Sequence, residues 1–269
     1  MLSGATINSG HSNRRVKELT IENFKKKSIP QSYLWKECKT LIRTPIFCLQ
    51  CVVMPVAYPI LVFIVMYAFV NFARSIGIDA LKEFYDRIMT TWGIAVFISI
   101  GQVFYMMNFA SIIAVSREAK NSILMKYIPV SLEKQIHWKL KIGIMTNLIS
   151  GLVVSITYYL VIRNVTHSIF MFILLFYLNI VGEKVKVLID LRNPQVAWDS
   201  EYTMMKQNTN VMYELFYTFV MMVILIVISF LFRGLLVFLM FILMLFLLAN
   251  LILNEYIHHC QGKLVKKIV

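Results

Sequence analysis

Charged residues are scarce in this sequence, and acidic residues are the scarcest of them. Asp and Glu together account for 14 of the 269 residues, and all charged residues make up 15% of the chain, against 59% hydrophobic residues. The mean hydropathy of +0.70 is far above that of water-soluble domains. The composition therefore excludes a soluble globular domain and indicates a polytopic membrane protein.

The sequence also lacks the common motifs of nucleotide, metal and nucleophile chemistry. It contains no G-x-x-x-x-G-K-[ST] phosphate loop, no H-E-x-x-H zinc motif and no G-x-S-x-G nucleophile elbow. The four cysteines, Cys38, Cys48, Cys51 and Cys260, are not spaced as zinc ligands and predict neither a metal site nor a disulfide framework. We therefore expect no enzymatic activity, no cofactor and no metal site in this chain.

Lysine and arginine are concentrated between the apolar runs and at the termini. The net charge of +13 would suggest a nucleic-acid partner in a soluble protein, but membrane proteins collect positive residues in their cytoplasmic loops. Alternating the segments between the apolar runs places 22 of the 27 lysines and arginines on one side and five on the other. This distribution predicts two cytoplasmic termini, a location in the cytoplasmic membrane and no nucleic-acid partner.

Six apolar runs are long enough to cross the bilayer as helices, which takes about 20 residues each. They predict an all-α fold with spans at residues 46–73, 92–115, 142–162, 168–181, 212–232 and 234–254; the fourth is the shortest, with 14 residues, and is expected to continue as a helix through residues 183–189 beyond the membrane. We divide the chain into a mobile cytoplasmic tail (1–31), an interfacial amphipathic helix (32–45), a six-span domain in the lipid bilayer (46–254) and a second cytoplasmic tail (255–269). Pro55 and Pro59 are expected to kink the first span.

Polar residues inside the spans are few. The amides of Gln102, Asn108 and Asn147 are expected to form hydrogen bonds between helices, with a polar transport path as the alternative. Glu214 and Glu255 lie near the ends of their spans, from which they could reach the membrane interface. The sequence thus gives little support to ion-coupled transport.

The polar segment 116–141 lies between the second and third spans. Ser116, Arg117 and Glu118 are expected to end the second span, residues 121–127 to form a short amphipathic helix, and Ser131 to cap the helix that follows. The pattern is compatible with a docking element for a soluble partner and with an ordered positively charged loop. We expect Arg117 and Glu118 to orient the loop. The residues expected to contact a partner are Lys120, Asn121, Lys126, Tyr127 and Pro129.

Two loops resemble those of a known family. S-R-E-x-x-x-x-I at residues 116–123, I-P-V-S at 128–131 and K-Q-I-x-x-K at 134–139 resemble the loop between the second and third spans in membrane subunits of bacterial type-2 ABC exporters. Residues 190–208 resemble a D-L-x-x-P-x-x-x-W-x-x-E…K-Q-N pattern in one branch of these permeases. The residues that carry this second resemblance are Asp190, Pro194, Trp198, Glu201 and Lys206.

The resemblance implies that residues 116–141 carry a coupling helix that binds a separate ABC ATPase subunit. Two features depart from the family: Arg233 and Gly234 leave almost no outer connection between the last two spans, and the chain resembles only the C-terminal half of a larger permease. We therefore expect a half-size permease subunit that pairs with a second permease half, as a homodimer or a heterodimer. The competing hypothesis is a membrane scaffold or immunity-type interaction protein without transport.

Overall fold

Helices account for every regular element that the structure, a computed structural model, describes; it covers residues 28–75, 91–118, 125, 127–232 and 235–267. The all-α prediction is therefore confirmed for these residues. The helices are α1 (Ile29–Arg43), α2 (Pro45–Cys48), α3 (Met54–Ser75), α4 (Thr91–Met106), α5 (Leu132–Ile162), α6 (Val165–Arg192), α7 (Glu201–Lys206), α8 (Thr209–Leu231) and α9 (Leu235–Lys267).

Five stretches of the described residues are long and apolar enough to cross a membrane, which indicates a multi-pass membrane protein. They are Pro45–Phe69, Leu132–Leu160, Val165–Arg192, Glu201–Leu231 and Val237–Ile257. A sixth apolar stretch, Gly93–Met106, is helical but shorter.

The first candidate span contains a π-helical turn, Leu49–Val53, between α2 and α3. This turn lies directly before Pro55, so the irregularity predicted at the prolines takes this form. Pro59 has no N–H group and leaves the carbonyl of Pro55 without its usual helical donor. The hydroxyl of Ser150 on α5 donates a hydrogen bond to that carbonyl instead. The proline pair thus fixes α3 against α5.

The second apolar run is shorter as a helix than predicted, since α4 ends at Met106 and not near Val115. The reason lies in Asn108, whose side-chain oxygen accepts a hydrogen bond from the backbone N–H of Ala110 at 3.0 Å. An Asn side chain that bonds the backbone two residues ahead competes with the helical hydrogen bonds. Residues 107–118 consequently form a series of turns that ends in a short 3₁₀ segment.

The turns at residues 109–115 are apolar because they pack inside the protein. Their side chains contact α1, α2, α5 and α6 in two hydrophobic clusters rather than facing lipid. The most deeply buried of them are Ala110, Ile112, Ile113, Ala114 and Val115, each at most 1% exposed. Apolar composition alone does not separate such a segment from a membrane helix.

Helix α1 forms in the predicted region, and one of its faces packs against the bundle. Tyr33, Glu37 and Leu41, each one turn apart, are buried against the rest of the protein, whereas Ile42 is 62% exposed. The ring of Tyr33 lies 5.0 Å from that of Trp138 on α5. The inner face of α1 therefore carries a carboxylate at its centre.

The central pair of the bundle is α5 and α6, which are joined by a tight turn. Arg163 ends α5 in the left-handed conformation (φ 53°), and Asn164 caps α6 by accepting a hydrogen bond from the N–H of His167. Helix α5 carries a set of small and polar residues that are buried; they are Asn147, Ser150, Gly151, Ser155 and Thr157. Helix α6 continues to Arg192, as the predicted extension of the fourth span required.

Helices α8 and α9 are separate elements, as the last two apolar runs predicted. Helix α8 packs mainly against α4, and α9 packs mainly against α6. We call the end of the bundle that carries α1, residues 107–118, residues 127–131 and residues 193–208 the polar end. The connection at Arg163 lies at the opposite end, about 46 Å along α5 from its first residue.

Candidate functional site: the loop junction at the polar end

Asp190, near the end of α6, attaches the segment 107–118 to the bundle. Its carboxylate accepts hydrogen bonds from the backbone N–H groups of Val115 at 2.6 Å and Ser116 at 3.1 Å, and from the Ser116 hydroxyl. It also accepts a hydrogen bond from the side-chain amide of Asn210 on α8 at 3.1 Å. Asp190 is fully buried, and these donors satisfy it in place of a counter-ion. One side chain thereby joins the segment to two helices.

Ser116 also holds the second loop. Its hydroxyl accepts a hydrogen bond from the backbone N–H of Gln195 at 2.8 Å, and its carbonyl accepts one from the indole N–H of Trp198 at 2.9 Å. The two loops that the sequence singled out are therefore bonded to each other at one residue. We call Ser116 with Asp190 and Trp198 the loop junction.

Arg117 and Glu118 anchor the same segment to α1 and α5. The guanidinium of Arg117 forms a hydrogen-bonded ion pair with Glu37 on α1. Lys139 on α5 lies 3.1 Å from Glu37 and also pairs with Glu118. The side chains of Glu37, Arg117 and Lys139 are at most 1% exposed. We call Glu37, Arg117, Glu118 and Lys139 the ion cluster.

The ion cluster keeps its carboxylates charged. Burial alone would raise the pKa of Glu37, but Arg117 and Lys139 outweigh it and lower that pKa to about 2. Burial likewise opposes ionisation of Glu118, and Lys139 lowers its pKa below the ordinary value. The pKa of Arg117 is raised, because the attraction of Glu37 and Glu118 exceeds the effect of burial. Glu37, Glu118 and Arg117 are therefore held in their charged forms near neutral pH.

Gln135 supports the outer part of the first loop. Its buried side-chain N–H group donates hydrogen bonds to the carbonyls of Met125 and Val130, both at 2.8 Å. Its oxygen accepts a hydrogen bond from the hydroxyl of Tyr33 at 3.3 Å. Gln135 thus attaches Met125 and Val130 to α5 and, through Tyr33, to α1. Tyr127, between them, points outward and is 78% exposed.

The remaining residues that the sequence singled out in the two loops fall into two groups. Lys120, Asn121 and Lys126 lie outside the described residues. The described ones are exposed or half-buried: Tyr127, Pro129, Pro194, Glu201 and Lys206. Arg117 is buried inside the protein and Glu118 is half-buried, so their positions suit the predicted orienting role and not direct contact.

Comparisons of this chain with family models, with curated proteins and with solved structures find no match. The function of the loop junction is therefore inferred from its own geometry.

The amides predicted to form hydrogen bonds between helices differ in what they contact. Asn108 donates a hydrogen bond to the side-chain oxygen of Asn147 at 2.9 Å, which joins the end of α4 to α5 as expected. Gln102 is buried in α4, but its amide has no hydrogen-bond partner among the described residues. Neither arrangement forms an open polar path.

Glu37 of the ion cluster is the residue of the polar end that sequence reasoning did not find. Glu37 was overlooked because its partners lie 80 and 102 positions away in the chain. A carboxylate between Tyr33 and Leu41 on an otherwise cationic amphipathic helix is the signal that could have revealed it. Within the described part of the chain, no group of three or more His, Cys, Asp or Glu side chains is arranged to hold a metal ion.

Proposed function

We propose that this chain is the membrane subunit of an ATP-driven exporter and that it binds a separate ATPase subunit through the two loops at the polar end. In this proposal the chain crosses the cytoplasmic membrane six times with both termini in the cytoplasm. The excess of lysine and arginine in the segments of the polar end supports this orientation.

The observation that carries the proposal is the attachment of one short segment to three helices at once. Residues 115–118 bond to Asp190 on α6, to Glu37 on α1 and, through Glu118, to Lys139 on α5. A lone surface loop needs no such buried connections. A loop that receives a displacement from a partner needs them, because interior side chains are closely packed and move together.

The exposed surface above this anchor has the composition of a protein-binding patch. Tyr127 and Tyr202 are 78% and 56% exposed, and Tyr is among the residues enriched in protein interfaces. The ammonium group of Lys206 lies 5.0 Å from the centre of the Tyr202 ring. Since the two loops are bonded to each other at Ser116, a partner that contacts both would contact one rigid unit.

The mechanism places ATP hydrolysis on the partner, since this sequence has no phosphate loop. Closure of the ATPase would push the tip at Tyr127, and the loop junction would pass the displacement to α6 while the ion cluster passes it to α1 and α5. Such a displacement favours one of two bundle arrangements, open to one side of the membrane or to the other. A second permease half would supply the opposite wall of the path.

The direct test is purification of the affinity-tagged full chain from membranes, followed by measurement of ATP hydrolysis in the complex. We expect an ATP-hydrolysing subunit to be retained with the wild-type chain and lost when residues 127–130 become Gly-Ser-Gly-Ser. The matched control is Arg163→Ala at the opposite end, which should retain it.

A stable stoichiometric complex that hydrolyses no ATP would contradict this function. That result would favour the competing scaffold or immunity-type function.

A further inference from the structure

Helix α6 carries two charged side chains into the interior of the bundle, where α8 adds a third. The ammonium group of Lys186 lies 2.8 Å from a carboxylate oxygen of Glu183 and 3.0 Å from one of Glu214 on α8. All three residues are at most 3% exposed. Glu214 therefore does not reach the membrane interface, which corrects the expectation from the sequence. We call these three residues the buried triad.

The three residues of the triad lie within two candidate membrane spans, Val165–Arg192 and Glu201–Leu231. Glu183 is 18 residues into α6, about 27 Å along the helix axis, and the hydrocarbon core of a bilayer is about 30 Å thick. Water is scarce at such a position inside the protein, so charges there must be balanced by other groups of the chain.

Among the described residues, Lys186 is the single cation in contact with the two carboxylates of the triad. Four oxygens surround its ammonium group: the backbone carbonyls of Tyr105 and Asn108, and the two carboxylates. Because all four are acceptors, Lys186 must carry its full set of hydrogens. The other titratable or hydrogen-bonding side chains around the triad are Cys51 of the π-helical turn, Tyr105 of α4, Asn108 and Ser111 of the following turns, Asn147 of α5 and Tyr217 of α8.

Two carboxylates and one ammonium group leave one negative charge without a counter-charge. The oxygens agree with the imbalance: one oxygen of Glu183 and one of Glu214 have no hydrogen-bond partner among the described residues, and the other Glu214 oxygen has only its contact with Lys186. The hydroxyl of Ser111 is also buried and without a hydrogen-bond partner, and a Cβ atom at Gly143 would overlap both this hydroxyl and the free oxygen of Glu183. Buried polar atoms are normally satisfied, so this set points to a missing positive charge.

The two carboxylates are not equivalent. Glu183 accepts a hydrogen bond from the side-chain amide of Asn147 at 2.7 Å in addition to its pair with Lys186. Glu214 has the contact with Lys186 but no second donor. Glu214 is therefore the carboxylate with fewer donors to balance a negative charge.

We propose that the buried triad is a proton-binding site that holds one proton, carried by Glu214, when the helices are packed as in this structure. The proton balances the charge without the several oxygen ligands that a metal ion needs. Release of this proton leaves an unbalanced carboxylate at the contact between α6 and α8. The packing of these two helices is therefore linked to proton uptake, independently of any ATPase partner.

The test is infrared spectroscopy of the full chain in lipid nanodiscs at neutral pH, with and without ¹³C-labelled glutamate. A protonated carboxyl group has a carbonyl stretch distinct from that of a carboxylate, and the label assigns the band to Glu and not to Asp190. We expect one label-sensitive band from a protonated Glu in the wild-type chain. This measurement requires no substitution, so it does not depend on the folding of a variant.

Variants then locate the proton. The band should disappear in Glu214→Gln, and also in Glu183→Gln, because a single remaining carboxylate is balanced by Lys186. It should persist in Glu201→Gln, which changes an exposed residue of α7. Absence of the band in the wild-type chain would overturn the proposal, and so would its persistence in both triad variants. Loss of the band on addition of Na⁺ at constant pH would assign the site to that ion instead.

Discussion

Substitution of Glu37 by Gln should destabilise this protein strongly while barely changing the shape of the side chain. The Glu37 carboxylate pairs with both Arg117 and Lys139, and all three side chains are at most 1% exposed. Removal of one partner from a buried ion pair costs about 3–5 kcal/mol, because the remaining charges lose their balance without regaining water. In a chain of this size, we expect the unfolding temperature in detergent to fall by on the order of 10 °C.

The pH dependence gives an independent estimate of the same contribution. The pKa of Glu37 falls from 4.5 to about 2 on folding, which corresponds to about 3 kcal/mol of stabilisation near neutral pH. Because the folded-state pKa is the lower one, this stabilisation is complete above about pH 4.5 and is lost as the pH falls towards 2. In Glu37→Gln, the loss of stability over this range should be smaller than in the wild-type chain.

Lys36 provides the matched control on the same helix. Its ammonium group lies 3.4 Å from Glu37 and 3.6 Å from Glu118, but its side chain is 47% exposed. Exposed ion pairs contribute about 0–1 kcal/mol, so Lys36→Gln should shift the unfolding temperature by only a few degrees. Equal effects of the two substitutions, or no effect of Glu37→Gln, would refute the assignment of α1 as a helix held by buried charge.

Two further predictions concern the packing around Glu183 and the attachment of the second loop. Gly143→Ala should destabilise the protein by about 1–3 kcal/mol in denaturant titrations, because the added methyl group would overlap the side chain of Glu183. Gly182→Ala, which meets no atom within 4 Å, should be neutral or stabilising by up to about 1 kcal/mol; the reverse order would contradict the packing described. Trp198→Phe should cost about 1 kcal/mol of thermal stability by removing the hydrogen bond to the Ser116 carbonyl, and an unchanged unfolding temperature would show that this bond does not hold the second loop.

Hydrophobic runs and terminator residues were sufficient to predict most of the helices. The start of α5 follows Ser131, as predicted, and α6 covers the predicted fourth span, although it begins three residues earlier, at Val165. These features are local, since each depends on residues within a few turns of one helix. The prolines of the first span likewise predict an irregular backbone, but they do not predict its π-helical form.

Features that depend on distant partners could not be predicted in this way. The end of α4 is set by Asn108, which bonds side chains on α5 nearly 40 residues later, and no local pattern distinguishes it from an amide inside a helix. The buried triad is not apparent from the sequence, because the apolar pattern puts residues 183–189 beyond the membrane as a helical extension. The spacing of Glu183, Lys186 and Asp190 on one face of an apolar helix was the available signal.

Site-specific photo-cross-linking at Tyr127 in intact membranes tests the central claim most directly. This residue is the most exposed large hydrophobic side chain among the described residues, and a cross-linker at Arg163 is the control at the opposite end. The account predicts that the cross-linker at 127 captures an ATP-hydrolysing protein on the cytoplasmic face and that the one at 163 does not. Labelling of a cysteine at 127 by a membrane-impermeant reagent from outside the cell, or capture of the same protein from both positions, would contradict it.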